Sequence, residues 1–408
     1  MRVPTVFIYL DGWRHDYISS KWTPWLHELS LESVWKKVRP TAGFTQRTPM
    51  LTGLYPETSG HFTWYRYDPE NSPFRWVKPL SFLGGAASYN LLAKVAIRMA
   101  TKVLTGTVRP DPAFIPLSQL PYFDLSINKR PLREELSPLV NLLSICDEEG
   151  LRYLDALNTF RTVGSKRYTS IFEQAQRSIA AGDRYGAYLL HLGELDGLGH
   201  RYGPDTAVLR DALSLIDRGL ERLCQAVRKR YGGYKVLVVS DHGMRHVRGI
   251  VDLWKGLEEL ESRVPRDYLF FLDSTLARFW FKTVKARREA LEMLDETRNG
   301  HVLSEEEMKQ HRIAFTDNSY GDIFFWLDKG FLVCPSFFQK EPAHTLGMHG
   351  YLNDEEMLGL LVAYSSIENL EGDEREVADL VDVFPTLLDL LELDAPEQCE
   401  GRSTLVRN

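Results

Sequence analysis

Four apolar runs constrain this chain more than any other feature: "TVFIYLDG" (5–12), "AYLLHLGELD" (187–196), "YKVLVVSDHG" (234–243) and "LGLLVAYSS" (358–366). None of them alternates apolar with polar residues, and each ends abruptly in polar or glycine positions. A strand with one wet face alternates, whereas one covered on both faces reads as a continuous apolar run. Helical patterns lie between the runs. Asp205 is placed as an N-cap, after which Val208, Leu209, Ala212, Leu213, Leu215, Ile216, Leu220 and Leu223 trace one apolar face. The segment "SIFEQAQRSIAAG" (170–182) stops at Gly182. Strand and helix in alternation imply an α/β fold: a doubly wound, mainly parallel sheet with helices on both faces.

Two stretches break that rhythm. Residues 61–140 are rich in proline and aromatics and read as an elaboration near a substrate entrance. Residues 255–345 mix "YLFFLDS", "LARFWF" and "DIFFWLDKGFLVCP" with the charged helical piece "KARREALEMLDETRNG", which reads as an inserted α+β subdomain. With 408 residues, the expectation is one catalytic domain over 1–408 carrying both additions. No internal repeat or low-complexity tract is present.

Charge narrows the partners. A net charge of −7 leaves no basic excess to displace counterions from a nucleic-acid backbone. Cys146, Cys224, Cys334 and Cys399 are far apart with no CxxC spacing, which fits unpaired thiols in a reducing compartment rather than a zinc knuckle. The N-terminus lacks the pattern of a secretory leader, so a cytoplasmic location is expected. The segment "LSFLGGAASYNLLAKVAIRMATKVL" (80–104) is interrupted by Lys94, Arg98 and Lys102. It reads as an amphipathic helix under a loop, with interfacial lipid contact as the sharper alternative.

In doubly wound sheets, ligands gather beyond the carboxyl ends of the strands. Asp11, Asp241 and His242 stand at such ends, Asp196 and His200 follow another, and His349 sits in "GMHGY". Singly, each has an ordinary explanation as a turn residue, a polar strand exit or a loop histidine. Jointly, three Asp and three His form a carboxylate–imidazole set suited to zinc or manganese, whereas thiolate sites need Cys and magnesium avoids His. Two sets of three can hold two divalent ions that clamp the attacking and leaving oxygens of a phosphoryl group.

The ordered motifs "YLDG", "RPTAGFTQRTPMLTGLYPETSGH", "ELDGLGHRYGP", "SDHGM" and "GMHGY" resemble the alkaline phosphatase superfamily, and within it the nucleotide pyrophosphatase/phosphodiesterase (type I phosphodiesterase) branch. The tail "LVDVFPTLLDLLELDAP" resembles the closing helix of that superfamily, sulfatases included. The resemblance implies hydrolysis of phosphodiester or pyrophosphate bonds in a small, nucleotide-like substrate. It implies one metal on Asp11, Asp241 and His242 and another on Asp196, His200 and His349. It also implies a Thr or Ser nucleophile that forms a phospho-enzyme, later hydrolysed by water. In those phosphodiesterases the nucleophile stands nine residues before the Thr of "TGLYP", a position held here by Gly43. A two-residue deletion bringing Thr45 into place, Thr41 in the role, or an inactive enzyme are the readings this leaves. The "GFT" stretch favours Thr45, with Thr48–Pro49 read as a helix N-cap and first-turn proline, and Arg47 as a phosphate-binding or loop-supporting residue.

Three alternatives remain open. A sulfatase is disfavoured by "GFTQR" where "C/S-x-P-x-R" is expected. A phosphomonoesterase or phosphonate hydrolase would share the metal site. An inactive metal-binding relative rests on Gly43 alone. The aromatic stretch "HFTWYRYDPENSPFRW" (61–76) is read either as a substrate-stacking surface or as the core of a cap.

Overall fold

The computed structural model of the protein describes residues 3–83, 90–108, 110–127, 130–157, 168–341 and 345–406. Its main sheet is built from β1 (Thr5–Leu10), β2 (Val34–Arg39), β3 (Tyr153–Ala156), β4 (Ala187–Leu192), β5 (Lys235–Ser240), β10 (Gly359–Ser365) and β11 (Val377–Asp379). A second sheet comprises β6 (Tyr268–Leu272), β7 (Leu276–Phe281), β8 (Gly300–Val302) and β9 (Ile323–Leu327). The helices that matter here are α1 (Pro24–Leu31), α2 (Arg47–Thr52), α3 (Leu91–Thr105), α4 (Tyr168–Ala180), α5 (Glu194–Tyr202), α6 (Ala207–Tyr231), α7 (Val284–Asp295) and α8 (Val383–Leu391).

The main sheet has the order β11-β2-β10-β5-β1-β4-β3. Every residue of β1, β4 and β5 is buried, as the unbroken apolar runs require. Successive residues of β1 serve opposite faces. Val6, Ile8 and Leu10 pack with α1, α4 and α6, while Phe7 and Tyr9 pack with α8. The sheet is therefore the middle layer between two helical layers. One expected strand differs in direction. The run "LGLLVAYSS" forms β10, which pairs antiparallel with both β2 and β5 and so runs against its neighbours.

Helix boundaries depart from the sequence reading at two points. Thr206, not Asp205, caps α6, its side chain accepting from Leu209 N at 3.4 Å. Asp205 instead takes a positive φ of 68° and accepts from Arg14 Nη2 at 3.0 Å. On the same helix, Val208 and Leu215 were placed on the packed face but are exposed.

The second sheet, ordered β6-β7-β9-β8, is antiparallel throughout. Its aromatics Phe270, Phe271, Phe279 and Phe325 merge with Tyr65, Phe74 and Phe123 into one cluster. Three of the six Phe, Tyr and Trp rings of the 61–76 stretch, Phe62, Tyr65 and Phe74, are fully buried, and Trp64, Tyr67 and Trp76 pack partly buried against the same cluster as Tyr65 and Phe74. At the heart of this unit the Arg278 guanidinium pairs with Asp273 at 3.0 Å, both fully buried. Of the segment 80–104, residues 84–89 lie outside the described residues. Residues 80–83 end a 3-10 helix (Arg75–Leu83), and residues 91–104 belong to α3, whose apolar side is exposed among the described residues rather than lying under a loop. No described helix is long and apolar enough to cross a membrane.

Candidate active site

Register brings the site together. Leu10 stands opposite both Leu192 and Ser240, so the residues that follow, Asp11, Gly193 and Asp241, leave the sheet side by side. Gly12 lets the next layer close in. At a φ of +75° it lies so near α5 that a Cβ on it would fall 2.9 Å from Asp196 Cα.

The segment "GELDGLGHRYGP" is helical despite its glycines. The chain passes from β4 directly into α5, which places Asp196 and His200 one turn apart on one face. The glycines serve packing. A Cβ on Gly199 would meet Met244 at 2.9 Å, and one on Gly347 would meet the Gly199 carbonyl at 2.4 Å. Gly347–Met348 pairs antiparallel with Arg245–His246, just past Asp241–His242, and this hangs His349 beside α5.

Two overlapping groups that could hold a metal ion result, Asp11/Asp241/His242 and Asp196/His242/His349, each with its atoms within 4.8 Å of one another. His200 joins the second, its Nε2 lying 3.1 Å from Asp196 Oδ1, with His349 Nε2 3.5 Å from the same oxygen. The His242 and His349 rings stack at 3.8 Å. Backbone carbonyls orient the imidazoles. His200 Nδ1 lies 2.9 Å from Gly347 O and His242 Nδ1 2.8 Å from Gly243 O, so Nδ1–H donates and each Nε2 faces the cavity.

The charges are mutually compensating. Burial pushes the Asp241 carboxyl up to about 7, with Asp11 adding to the rise and His242 opposing it. Burial also opposes the Asp11 charge, but hydrogen bonds from His191 and His242 outweigh it and hold this group far below the carboxylate range. Burial favours neutral His242, yet Asp241 and Asp11 raise it to about 10. His349 is driven down by burial and by the neighbouring His242 charge.

Thr45, Arg47 and all six Asp/His residues line one cavity of about 1280 Å³. Thr41 is not among the described residues lining it; its hydroxyl donates to Gln46 Oε1 at 2.8 Å. The helix start was misplaced by the sequence reading. Gln46 caps α2, Pro49 is its third residue, and Thr48 Oγ1 lies 2.8 Å from His61 Nδ1. Burial lowers His61 to about 4, which leaves it neutral. Arg47 faces Glu135 at 3.9 Å, both largely buried.

Sequence reasoning missed three contributors. The Tyr9 hydroxyl donates to Asp241 Oδ2 at 2.6 Å. His191 stacks on Tyr9 at 4.2 Å, and its Nε2 lies 3.4 Å from Asp11 Oδ2. Glu135 faces Arg47. The signal for His191 was visible as the one imidazole inside "AYLLHL"; Tyr9 and Glu135 carried none.

Comparison with known proteins supplies context. The model of the family described as "Type I phosphodiesterase / nucleotide pyrophosphatase" matches residues 5–352. Human ectonucleotide pyrophosphatase/phosphodiesterase family member 5 is 24% identical over 211 residues, covering 51% of this chain and 42% of that protein. The matched region thus spans less than half the length of that relative. An uncharacterised pyrophosphatase/phosphodiesterase of Schizosaccharomyces pombe is 22% identical over 437 aligned positions, covering 99% of this chain and 80% of that one. Among solved structures, human ectonucleotide pyrophosphatase/phosphodiesterase 5 superposes with a TM-score of 0.69 at 16% identity, with both chains fully covered. An inactive threonine-to-alanine variant of the murine protein, in complex with AMP, gives 0.68 at 17% identity, covering 99% of this chain and 100% of that one. At these identities the likeness establishes the alkaline phosphatase-like fold.

Proposed function

Because the chain belongs to the type I phosphodiesterase / nucleotide pyrophosphatase family, we propose that it is a metal-dependent hydrolase of phosphodiester or pyrophosphate bonds with Thr45 as nucleophile. One observation carries this reading: Thr45 shares a cavity with three carboxylates and three imidazoles that converge on two adjoining points.

The residues fit divalent ions. Asp196 Oδ1 lies 3.1 Å from His200 Nε2 and 3.5 Å from His349 Nε2, so a carboxylate and two imidazoles crowd one buried point with the donor chemistry a divalent ion takes. The Nε2 atoms of His200 and His242 are turned inward by their carbonyl partners. Asp11, Asp241 and His242 would hold one ion, and Asp196, His200 and His349 the other. Zinc suits this donor set, as does manganese. Bound there, the ions supply Lewis-acid polarisation of the phosphoryl group and lower the pKa of the attacking hydroxyl and of water. Three carboxylates against two divalent cations leave a small positive excess, which matches a singly charged diester.

The chain's own groups do the rest. Thr45 Oγ1 attacks phosphorus and displaces one alcohol or phosphate, leaving a phosphoester on Thr45. Water then cleaves that ester, releasing the remaining phosphate half and restoring the hydroxyl. Arg47, steadied by Glu135, presents a fixed cation to the phosphoryl oxygens. The murine relative described as an inactive threonine-to-alanine variant with bound AMP supports both a threonine nucleophile and a nucleotide-class ligand here. Turnover of an aryl phosphodiester, compared with the matching aryl sulfate and phosphonate ester, tests the reading. Diester hydrolysis that dominates the panel upholds it, and dominant sulfate hydrolysis overturns it.

A further inference from the structure

Helix α3 is well formed yet largely unpartnered. Asn90 caps it, accepting from Leu92 N at 2.9 Å and Ala93 N at 3.2 Å, and Gly106 ends it at a φ of +69°. Only Ile97 and Thr101 are buried, Thr101 accepting from Trp76 Nε1 at 3.1 Å. On the other side Leu91, Leu92, Val95, Met99, Val103 and Leu104 are exposed, Leu92 by 80% and Val103 by 81%. A soluble surface seldom carries so continuous an aliphatic face without a use for it.

The charge beside that face points to its occupant. Lys94, Arg98 and Lys102 recur every fourth residue and form a line along one edge of the apolar side. From Asn71 to Pro110 the chain holds Arg75, Lys78, Lys94, Arg98, Lys102 and Arg109 and no Asp or Glu, although the whole protein carries −7. The stretch thus has no acid of its own to offset its bases; Lys94 pairs with Asp111 at 3.3 Å, while Arg98 and Lys102 are exposed beside the apolar side. We propose that α3 docks the protein in the plane of an anionic phospholipid surface, its aliphatic side chains entering the head-group boundary and its cations meeting lipid phosphates.

Length agrees with lying on the surface rather than crossing it. Fifteen residues reach about 22 Å at the helical rise, short of the roughly 30 Å hydrocarbon core. A protein partner fits less well, because interface cores favour aromatic residues and this face has none. A second copy would bring two basic lines together. The buried side of α3 joins the aromatic cluster against which Trp64 packs, and Trp64 also lines the catalytic cavity, so docking element and cavity share one packing unit.

Co-sedimentation of the full chain with phosphatidylcholine vesicles, with and without a minor fraction of phosphatidylglycerol, tests the proposal. Binding should require the anionic lipid and weaken as salt rises. The variant Val95→Asp/Met99→Asp/Val103→Asp should bind at least roughly tenfold more weakly. Arg98→Gln/Lys102→Gln should lose roughly fivefold per charge removed. All five substituted side chains are exposed, so thermal unfolding should stay unchanged and confirm intact folds. The proposal falls if anionic vesicles fail to bind at low salt, or if the triple variant binds undiminished. It falls equally if light scattering shows a dimer that the triple variant dissolves, which would assign the face to a second copy.

Discussion

Gly43 lies beneath Phe62 so closely that a Cβ on Gly43 would fall 2.2 Å from the Phe62 carbonyl oxygen. Its φ of +97° is strained for any other residue. The position that carries the nucleophile in the resembling phosphodiesterases is thus closed to a side chain here, and Thr45, two residues on, opens into the cavity. Thr45→Ala should abolish phosphodiester turnover with metal content and fold retained, while Thr45→Ser keeps a measurable part of it. Adding Gly43→Ser to Thr45→Ala should not restore turnover and should destabilise the protein by about 1–3 kcal/mol in a denaturant titration. Recovery of activity in the double variant would return the role to position 43.

Tyr9 supports Asp241, a proposed metal ligand, from inside β1. Burial, with the Asp11 and Asp241 charges, holds its hydroxyl protonated well above the ordinary range, so it remains a donor to Asp241. Tyr9→Phe should weaken metal binding about 10–100-fold, measured by competition with a chelating dye. Unchanged affinity would reduce Tyr9 to a packing residue.

The cavity is large for a phosphate monoester, and Trp64, Leu198 and Phe338 line it beyond the ligand cluster. That space suits a second substituent on phosphorus. At matched leaving-group pKa, kcat/KM for an aryl diester should exceed that for the monoester. Equal or faster monoester turnover would assign the space to something other than substrate.

The Arg278–Asp273 pair ties the second sheet together, with Arg278 Nη1 also donating to Tyr65 O at 2.9 Å. Burial already raises Asp273 to about 6 against the pull of Arg278. Arg278→Met should cost about 3–5 kcal/mol in denaturant unfolding near neutral pH. Without the guanidinium, folded Asp273 keeps its proton above about pH 6, where the intact pair releases it, so the deficit should grow as pH rises past 6. A loss that is flat across pH 5–8 would contradict this account of the pair.

The strands and the clustering of the three Asp and three His were readable because both depend on local pattern: continuous apolar runs demand burial, and in-register parallel strands bring their exits together. What escaped depended on tertiary contact. The helix α5 itself was not read from the sequence, since only the fold shows Gly199 making room for Met244 and Gly347. Asp205 has the composition of an N-cap, but Arg14 draws it into an ion pair and Thr206 takes over. The direction of β10 is not written in its apolar run, because burial on both faces looks the same either way. Tyr9 and His191 sit among apolar residues whose packing role masked them until Asp11 and Asp241 were seen beside them.

The central claim is that three Asp and three His make this a metal-dependent phosphodiesterase. Titrating zinc or manganese into chelator-stripped protein, while following aryl phosphodiester hydrolysis and bound metal together, tests it most directly. Activity should be absent at first, rise with metal uptake and saturate at two equivalents. Full hydrolysis by protein shown by elemental analysis to be metal-free would contradict it.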